Sequence, residues 1–490
     1  MSTKNLATAG SRADIPATLT GRAAVIAIGA VMIASFMDLL DATIVVVAGP
    51  ALASSLDASP AQLQWVLAAY TLALGSGLIT GGRLGDSYGR RRVFLAGLAA
   101  FVVFSALCAL ATGPGWLIIA RTGQGMAAGL MVPQTFGLIR CTLAPAAQAR
   151  AFGAFGAIQG LAAAAGPLLG GLLVNADLFG LGWRTIFWVN VPIGVVAFVL
   201  GARVLPESTT GVRARLDLAG VVISVGAMLL ILVPLVQGRE WGWPWWGFLL
   251  MATGAVLLAV FGMVEAGIRR RGAQPLLDPA LLRVRSVAAG LVVSLLFFGA
   301  ISAFFLTLSV YLQDGTDRSA WATGLIVLPY ALGSMATSGV GVALAGKAGR
   351  RLLITGALVL AGSQGLLWWL VGGGQVPGYW SLAAALFVGG LGLGLAAPIL
   401  INIVLAGVPG RDAGAAGGVL STVTQLGGAT GVAALGTLFF TVLADQPATG
   451  EQVSRFSQAL SSVLTWEIAL YLAVAAIMLL LPRTTAQAHS

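Results

Sequence analysis

The stretch GGRLGDSYGRRRVF, from Gly81 to Phe94, carries four arginines and one aspartate. It lies between two apolar segments, each of which is long enough to cross a bilayer as a helix. Glycine lets two backbones approach closely, and aspartate is favourable at helix N-termini. We therefore expect a tight cytoplasmic loop that locks against neighbouring helix ends in a helix bundle that moves.

The composition of the whole chain indicates the same kind of protein. Of the 490 residues, 58% are hydrophobic and only 9% are charged, and the mean hydropathy is +0.94. Such a chain cannot be packed around an ordinary soluble core, so we expect a polytopic membrane protein. The first 20 residues are polar and carry no apolar core before a cleavage site, which predicts a cytoplasmic tail and not a signal peptide.

Fourteen segments have the roughly 20 apolar residues that a helix needs to cross a bilayer. The predicted spans are 23–52, 61–82, 92–111, 115–140, 149–174, 184–204, 217–237, 244–266, 287–313, 320–345, 351–372, 378–408, 414–443 and 460–482.

The distribution of lysine and arginine predicts the orientation, because cytoplasmic loops retain these residues. With the N-terminus inside, the outer loops hold only Arg184, Arg239, Arg318 and Arg455. An even number of spans then places both termini in the cytoplasm. The net charge of +10 is explained by this topology and by anionic lipid, so no nucleic-acid partner is expected.

A weak internal repeat divides the chain. The segment Gly346 to Arg351 (GKAGRR) partly repeats GRLGDSYGRRR, and both follow the second span of a set of six. Parallel six-helix halves are typical of transporters, although glycine and arginine are also common in any cytoplasmic turn. The predicted parts are a cytoplasmic tail, an N-terminal half, a linker with two inserted helices, a C-terminal half and a second cytoplasmic tail, at residues 1–22, 23–204, 205–286, 287–482 and 483–490.

Four motifs carry a resemblance to a known family. GGRLGDSYGRRRVF resembles the cytoplasmic loop signature of the major facilitator superfamily, and LDATIVVVAGPAL (Leu40 to Leu52) is similar to the first-helix motif of its fourteen-spanner drug:proton antiporters. RTGQGMAAG (Arg121 to Gly129) resembles the arginine motif of the superfamily, and GLAAAAGPLLGG (Gly160 to Gly171) resembles the antiporter motif. The resemblance implies an all-α integral membrane protein with fourteen transmembrane helices that works by alternating access.

Two acids share one face of the first span. Asp38 and Asp41 are three residues apart, past the middle of the span, where a carboxylate is expensive. A carboxyl group in apolar surroundings can gain and lose a proton near neutral pH as a cavity opens to either side. We predict that Asp41, and Asp38 beside it, couple transport to protons. The alternative is that either acid only hydrogen-bonds a neighbouring helix.

Arg121 opens the fourth span and carries a permanent charge, so within the membrane it needs an anionic or carbonyl partner. The motif resemblance implies a role in proton coupling. The alternative is an arginine that snorkels towards the outer interface.

Two groups of residues are predicted to control movement. Asp86 is expected to cap a helix end or to pair with an arginine, holding the cytoplasmic side shut, unless it is only a solvated charge. The predicted gating residues are Gly82, Asp86, Gly89, Arg90 and Arg91. In the fifth span, glycine permits tight packing and proline removes a backbone hydrogen bond, which predicts a sealed, pliable interface between the halves. The residues of that motif are Gly160, Gly166, Pro167, Gly170 and Gly171.

The predicted membrane interior is poor in polar groups and contains several aromatic residues. Apolar walls with one or two acids suit amphipathic organic cations, which bind through buried area, cation–π contact and one charge pair. The predicted substrate-binding residues are Tyr70, Gln134, Gln159, Phe298, Phe305 and Tyr330, although each aromatic ring alone is also typical of helix packing.

These patterns predict a proton-coupled antiporter that exports amphipathic, cationic organic compounds such as drugs or antibiotics across the cytoplasmic membrane. Two alternatives remain: a dedicated exporter of one endogenous metabolite or antibiotic, and a membrane receptor or scaffold without flux. We expect no enzyme activity, because no plausible pair of nucleophile and base can be named. The proton gradient replaces any cofactor, no metal is expected since His489 is the only histidine, and the expected partners are protons, a small-molecule substrate and the bilayer around a monomer.

Overall fold

The structure is a computed structural model of the chain. It describes residue 19 and residues 21–208, 218–238, 240–270, 285–373, 376–406, 413–446 and 451–479. Within these ranges the chain is almost entirely helical, as the composition predicts. The helices are α1 (Gly21–Leu56), α2 (Pro60–Tyr88), α3 (Arg90–Ala109), α4 (Pro114–Thr142), α5 (Pro145–Ala176), α6 (Thr185–Trp188), α7 (Asn190–Val204), α8 (Leu218–Gln237), α9 (Trp245–Arg270), α10 (Arg285–Val310), α11 (Ala320–Gly372), α12 (Tyr379–Ala406), α13 (Ala413–Asp445) and α14 (Gln452–Leu479).

Fourteen membrane spans stay a prediction. Among the described residues, ten helices are long and apolar enough to cross a membrane, or eleven if the bent pair Pro60–Leu78 and Thr80–Tyr88 is one span. Of the remaining predicted spans, 115–140 falls on α4, which carries the buried Arg121 and Gln134, while the apolar parts of α5 and α8 at Ala165–Ala176 and Val222–Gln237 are shorter than 18 residues. Polar side chains on the buried face lower the hydropathy of a helix although its lipid-facing surface is apolar.

The predicted spans 320–345 and 351–372 lie in one continuous helical stretch. α11 runs from Ala320 to Gly372, and its backbone leaves the helical region only at Ala348 (φ −137°, ψ 17°). A chain that reverses across a membrane normally does so through a loop. Here a single kinked residue makes the turn between two apolar helical segments, Ala320–Gly339 and Ala348–Gly372.

The helices of each half pack closely through small residues. In the N-terminal half α2 lies against α4, where a Cβ on Gly77 would come 3.0 Å from the Cα of Gly129. In the C-terminal half α11 lies against α12, where a Cβ on Gly356 would come 2.7 Å from the carbonyl oxygen of Gly392. Association of membrane helices depends on such close packing, because lipid is as apolar as the side chains it would replace.

The two halves meet along α2 with α13 and along α5 with α11. At the end of the bundle that the charge pattern predicts to face outward, Gln313 Nε2 donates to the carbonyl oxygen of Val47 at 2.7 Å. Thr437 Oγ1 donates to Gln64 Oε1 at 3.2 Å at the same end. The outer ends of the halves are therefore in contact, and this conformation is closed on that side.

The inserted helices α8 and α9 lie beside the junction of α2 and α13. Met228 and Leu232 of α8 pack with Trp65 of α2 and Ala433 of α13 in one buried apolar cluster. Thr437 of α13 also donates a hydrogen bond to the carbonyl oxygen of Leu235 at 3.0 Å. α8 thus touches both halves at once and does more than fill space at the edge of the bundle.

Candidate functional site: a buried charge cluster in the N-terminal half

The two charges that the sequence places in the first and fourth spans form an ion pair. Arg121 Nη1 lies 2.5 Å from Asp41 Oδ2, and the two side chains are 1% and 0% exposed. This burial rules out an arginine that snorkels to the interface. A guanidinium group and a carboxylate in apolar surroundings satisfy each other only at such short range.

Amide side chains complete the coordination of Asp41. Gln124 Nε2 and Asn190 Nδ2 both donate to Asp41 Oδ1, at 3.0 and 2.7 Å. Gln124 Oε1 accepts from Arg121 Nη1 at 2.8 Å, so one glutamine bridges both charges. Asp41 therefore accepts hydrogen bonds from three side chains on two helices.

Three helices of the N-terminal half meet at this cluster. α1 supplies Asp41, α4 supplies Arg121 and Gln124 one turn apart, and the start of α7 supplies Asn190. The i, i+3 spacing on α4 puts Arg121 and Gln124 on the same face of the helix. Asn190 is held in turn by Ser105 Oγ at 3.1 Å. The helical period explains why Arg121 and Gln124 share one face of α4. The packing of α1, α4 and α7 brings that face together with Asp41 and Asn190.

Asp38 belongs to the same network through a tyrosine. Tyr70 Oη donates to Asp38 Oδ1 at 2.6 Å, and the guanidinium carbon of Arg121 lies 4.0 Å from the centre of the Tyr70 ring. Asp38 interacts electrostatically with both Asp41 and Arg121. Asp38 is only partly buried whereas Asp41 is fully buried, so Asp38 is the more accessible acid of the cluster.

The segment Gly81 to Phe94, which the sequence predicts to be a cytoplasmic loop, is almost entirely helical. α2 continues to Tyr88 and α3 starts at Arg90, with only Gly89 between them. Gly89 has a φ of 105°, a region that favours glycine, and a Cβ there would overlap the carboxylate of Glu207. Asp86 pairs with Arg90 across this turn at 2.8 Å, as the sequence predicts. Gly82 lies on α2, where a Cβ would come no closer than 3.8 Å to Pro133.

Glu207 is a member of this turn that the sequence motif does not include. Its Oε1 accepts from the backbone N–H of Arg91 at 3.2 Å, and its Oε2 lies 3.4 Å from Arg92 Nε. The Arg91 guanidinium donates to the carbonyl oxygen of Ala202. The end of α7 thus caps the start of α3, which is the lock against a neighbouring helix end that the glycines and arginines predict. A lone glutamate just past an apolar helix was the only signal for it.

The glycines of the fifth span lie at two tight contacts. A Cβ on Gly166 would overlap Thr43, and one on Gly170 would come 2.9 Å from the carbonyl oxygen of Ile44, so α5 lies directly on α1. A Cβ on Gly171 would overlap the carbonyl oxygen of Ala320 at the start of α11. Pro167 faces the same helix, because a Cβ on Gly324 would overlap its carbonyl oxygen. α5 therefore packs against the other half at the closed end.

The residues predicted to bind substrate are divided between two places. Tyr70 is 1% exposed and belongs to the charge cluster, and Gln134 is 1% exposed with its amide donating to the carbonyl oxygen of Gly81 at 2.7 Å. Phe305 and Tyr330 meet in the C-terminal half, with ring centres 5.0 Å apart. Phe298 packs beside Phe297 in that same half, 5.4 Å between ring centres. Gly160 and the side chain of Gln159 lie outside the residues whose surroundings the structure describes.

The chain is similar in sequence to known transporters and export proteins. Residues 31–432 match the family described as the Major Facilitator Superfamily. The chain is 43% identical over 426 residues to the "Probable actinorhodin transporter" of Streptomyces coelicolor, covering 86% of this chain and 73% of that protein. It is 34% identical over 432 residues to the tetracenomycin C resistance and export protein of Streptomyces glaucescens, covering 86% and 76%. It is 35% identical over 450 residues to the cephamycin export protein CmcT of Amycolatopsis lactamdurans, covering 89% of each.

Solved structures share the fold at low sequence identity. A bacterial homologue of the human lysosomal transporter Spinster, solved in an inward-facing and occupied conformation, matches with a TM-score of 0.65 and 15% identity over 94% of this chain and 97% of that one. A bacterial homologue of the human drug peptide transporters PepT1 and PepT2 matches with a TM-score of 0.66 and 15% identity over 93% and 97%. At these identities the likeness concerns the architecture alone.

Proposed function

This chain belongs to the major facilitator superfamily and is a membrane transporter, and from that premise we propose that it exports amphipathic organic compounds in exchange for protons. The observation that carries the proposal is the buried cluster of Asp38, Asp41 and Arg121. Ionisable groups inside a membrane protein are expensive and mark ion and substrate pathways. Two relatives that are named for antibiotic export support the direction of transport, and these together with the probable actinorhodin transporter support the class of cargo.

The charges of the cluster do not balance. Two carboxylates surround one guanidinium, so one negative charge is left over when both acids are ionised. Asp41 is committed to Arg121 and to two amide donors, whereas Asp38 has a single hydrogen bond from Tyr70 and is partly exposed. This remaining negative charge is neutralised either by a proton or by the positive group of a cargo molecule. One of these two ligands is enough. The site of exchange is therefore the acid pair, with Asp38 facing the cargo and Asp41 holding the cluster together.

Competition for this one charge couples the two fluxes. When the cluster opens outward, a proton from water forms an O–H bond with a carboxylate oxygen and weakens the hold on a cationic cargo molecule. When it opens inward, the proton returns to water and the cargo takes its place. Each conformation is favoured by the ligand that it binds better, which is what alternating access requires. The transporter then operates in the cytoplasmic membrane with both termini inside, without a cofactor.

A dedicated exporter of one antibiotic is the second candidate. The observation that favours it is that the relatives described above are each named for one compound, actinorhodin, tetracenomycin C or cephamycin. Susceptibility of cells that express the chain, measured over a panel of structurally different antibiotics, distinguishes the two. Protection against many classes supports a broad exporter, and protection against one class supports a dedicated one.

The test of proton coupling uses the purified full-length protein in liposomes with a pH-sensitive dye inside. Addition of a transported compound is expected to move protons with the wild-type protein, and Asp38→Asn and Asp41→Asn are each expected to abolish this movement. Asp57→Asn is the matched control, because Asp57 is an exposed acid just past the outer end of α1. Full substrate-dependent proton movement in both cluster variants would show that the acid pair is not the site of exchange.

A further inference from the structure

The C-terminal half contains one buried acid that the mechanism above does not use. Glu467 on α14 is 0% exposed. Neither of its carboxylate oxygens has a hydrogen-bond partner among the residues that the structure describes. The same described part of the chain brings no lysine or arginine within ion-pair distance of it, in direct contrast to Asp41, which has Arg121 and two amide donors.

Aromatic side chains from three helices surround this acid. α11 contributes Tyr330 and α14 contributes Tyr471 one turn after Glu467, and the hydroxyl groups of both tyrosines interact electrostatically with the carboxyl group. Both hydroxyl groups are buried and have no hydrogen-bond partner in the described ranges. From α10, Phe297 packs edge to face against Tyr471 at 5.9 Å, and Phe304 lies 6.2 Å from Tyr330. Within the described part of the chain, these two tyrosines are the titratable groups that face Glu467.

We propose that Glu467 is a second proton-binding site, and that its carboxyl group carries a proton while the outer ends of the two halves are in contact. An ionised carboxylate in apolar surroundings needs an opposite charge or several hydrogen bonds, and otherwise takes up a proton and becomes neutral. The described surroundings of Glu467 provide neither. A proton is also the ligand that fits best, because a fully buried carboxyl group leaves no exposed surface for an organic cation.

The internal repeat of the chain supports a paired role. Tyr70 of α2 and Tyr330 of α11 stand at the same distance from the starts of their helices, at Pro60 and Ala320. Each tyrosine faces a carboxyl group of its own half, Asp38 in the first and Glu467 in the second. Among the described residues, only the first half adds a guanidinium group, that of Arg121. The acids of the first half thus lie beside the positive charge of Arg121. Glu467, the acid of the second half, has only a proton to neutralise its charge.

The proposed role in transport rests on the proposed function, whereas the protonation of Glu467 does not. When the outer ends separate and water from outside reaches the site, a proton from that water forms an O–H bond with the carboxylate. The outer ends then close around the neutral acid, and after the site opens to the cytoplasm the O–H bond breaks and the proton passes to water inside. Each cycle then moves one proton through Glu467 in addition to the one exchanged at Asp38 and Asp41.

Infrared spectroscopy of the purified full-length protein in lipid at neutral pH tests the protonation directly. The wild-type protein is expected to show the carbonyl band of a protonated carboxylic acid, and Glu467→Gln is expected to lose it. Glu265→Gln is the matched control, since Glu265 on α9 is the other fully buried glutamate among the described residues, and we expect it to keep the band. Glu467→Asp keeps a carboxyl group and should shift the band, which identifies it even if the glutamine variant cannot be produced. An identical band in the wild type and in both Glu467 variants would overturn the proposal.

Proton counting tests the role in transport. The number of protons moved per cargo molecule is expected to fall by one in Glu467→Gln and to be unchanged in Glu265→Gln. An unchanged count in Glu467→Gln would overturn the coupling role of this residue. If the wild-type protein moved cargo without any protons, the proposed antiport would fall, and the infrared band would still decide whether Glu467 is protonated.

Discussion

At the scale of single residues, the environment of Asp41 decides what this acid can do. Asp41 accepts hydrogen bonds from an arginine and two amide groups, so it is the centre around which Arg121, Gln124 and Asn190 are positioned. Asp38 lies one turn away with a single tyrosine donor. Two acids on one helical face therefore have different tasks, and the difference arises from neighbours on α2, α4 and α7.

The Asp41 and Arg121 pair predicts strong energetic coupling. Asp41→Ala and Arg121→Ala should each lower the free energy of unfolding by about 3–5 kcal/mol, because each leaves an uncompensated charge in the membrane interior. The double variant should lose much less than the sum of the two, since neither charge remains. Thermal unfolding of the purified variants in one detergent measures all three. If the losses of the two single variants add up to the loss of the double variant, Asp41 and Arg121 do not interact directly.

At the scale of elements, the turn between α2 and α3 is a lock built from helix ends. Gly89 allows the turn, Glu207 caps the start of α3, and Asp86 pairs with Arg90. The Asp86 and Arg90 side chains are 43% and 27% exposed, so solvent screens the pair and its share of the folding free energy is about 0–1 kcal/mol. The ion pair therefore contributes little to overall stability.

This arrangement predicts a separation between stability and rate. Asp86→Asn should lower the transport rate several-fold, while the free energy of unfolding changes by about 1 kcal/mol or less. Transport into proteoliposomes and thermal unfolding of the same preparation measure the two effects. Asp57→Asn, at the opposite end of the bundle, should change neither. Unaltered transport in Asp86→Asn would reduce Asp86 to a solvated surface charge.

At the scale of the whole molecule, the closed outer end depends on contacts that only small residues allow. Gly171 of α5 lies against the backbone of Ala320 in the other half, and Gly324 of α11 lies against Pro167. Gln313 and Gln64 add hydrogen bonds between the halves at the same end. α8 covers the junction of α2 and α13 beside them. A rocking motion that opens this end must separate all of these contacts together.

A bulky residue at Gly171 should therefore hold the two halves apart. Gly171→Leu is expected to favour the outward-open state and to abolish transport, because the side chain cannot fit against the backbone of Ala320. A cysteine introduced at Val47, which is buried at the outer contact between the halves, should be labelled faster by an impermeant thiol reagent added from outside. Gly362→Leu is the control, since Gly362 is exposed on α11 with no atom within 4 Å of an added Cβ. Equal labelling in both variants would mean that α5 and α11 do not gate this end.

Several features of the protein follow from short-range patterns in the sequence. Apolar runs of membrane-crossing length predict the helices, and glycine with aspartate and arginine predicts a lock near Gly89, because these effects act within one or two turns of chain. Asp41 and Arg121 were also predictable, since a charge inside an apolar span requires a partner. The count of fourteen spans is a weaker inference, because polar groups on inward faces and the kinked α11 blur the hydropathy signal.

The sequence alone determined that this chain is a bundle of membrane helices with two acids and one arginine in its N-terminal half. Only the tertiary structure decided which groups meet. Asp41 and Arg121 are 80 positions apart, Asn190 reaches Asp41 from 149 positions away, and Glu207 reaches the start of α3 from 116. It also left Glu467 without a partner among the described residues. The physical reason is that the period of a helix fixes which side chains share a face, whereas the rotation and docking of whole helices fix what that face touches.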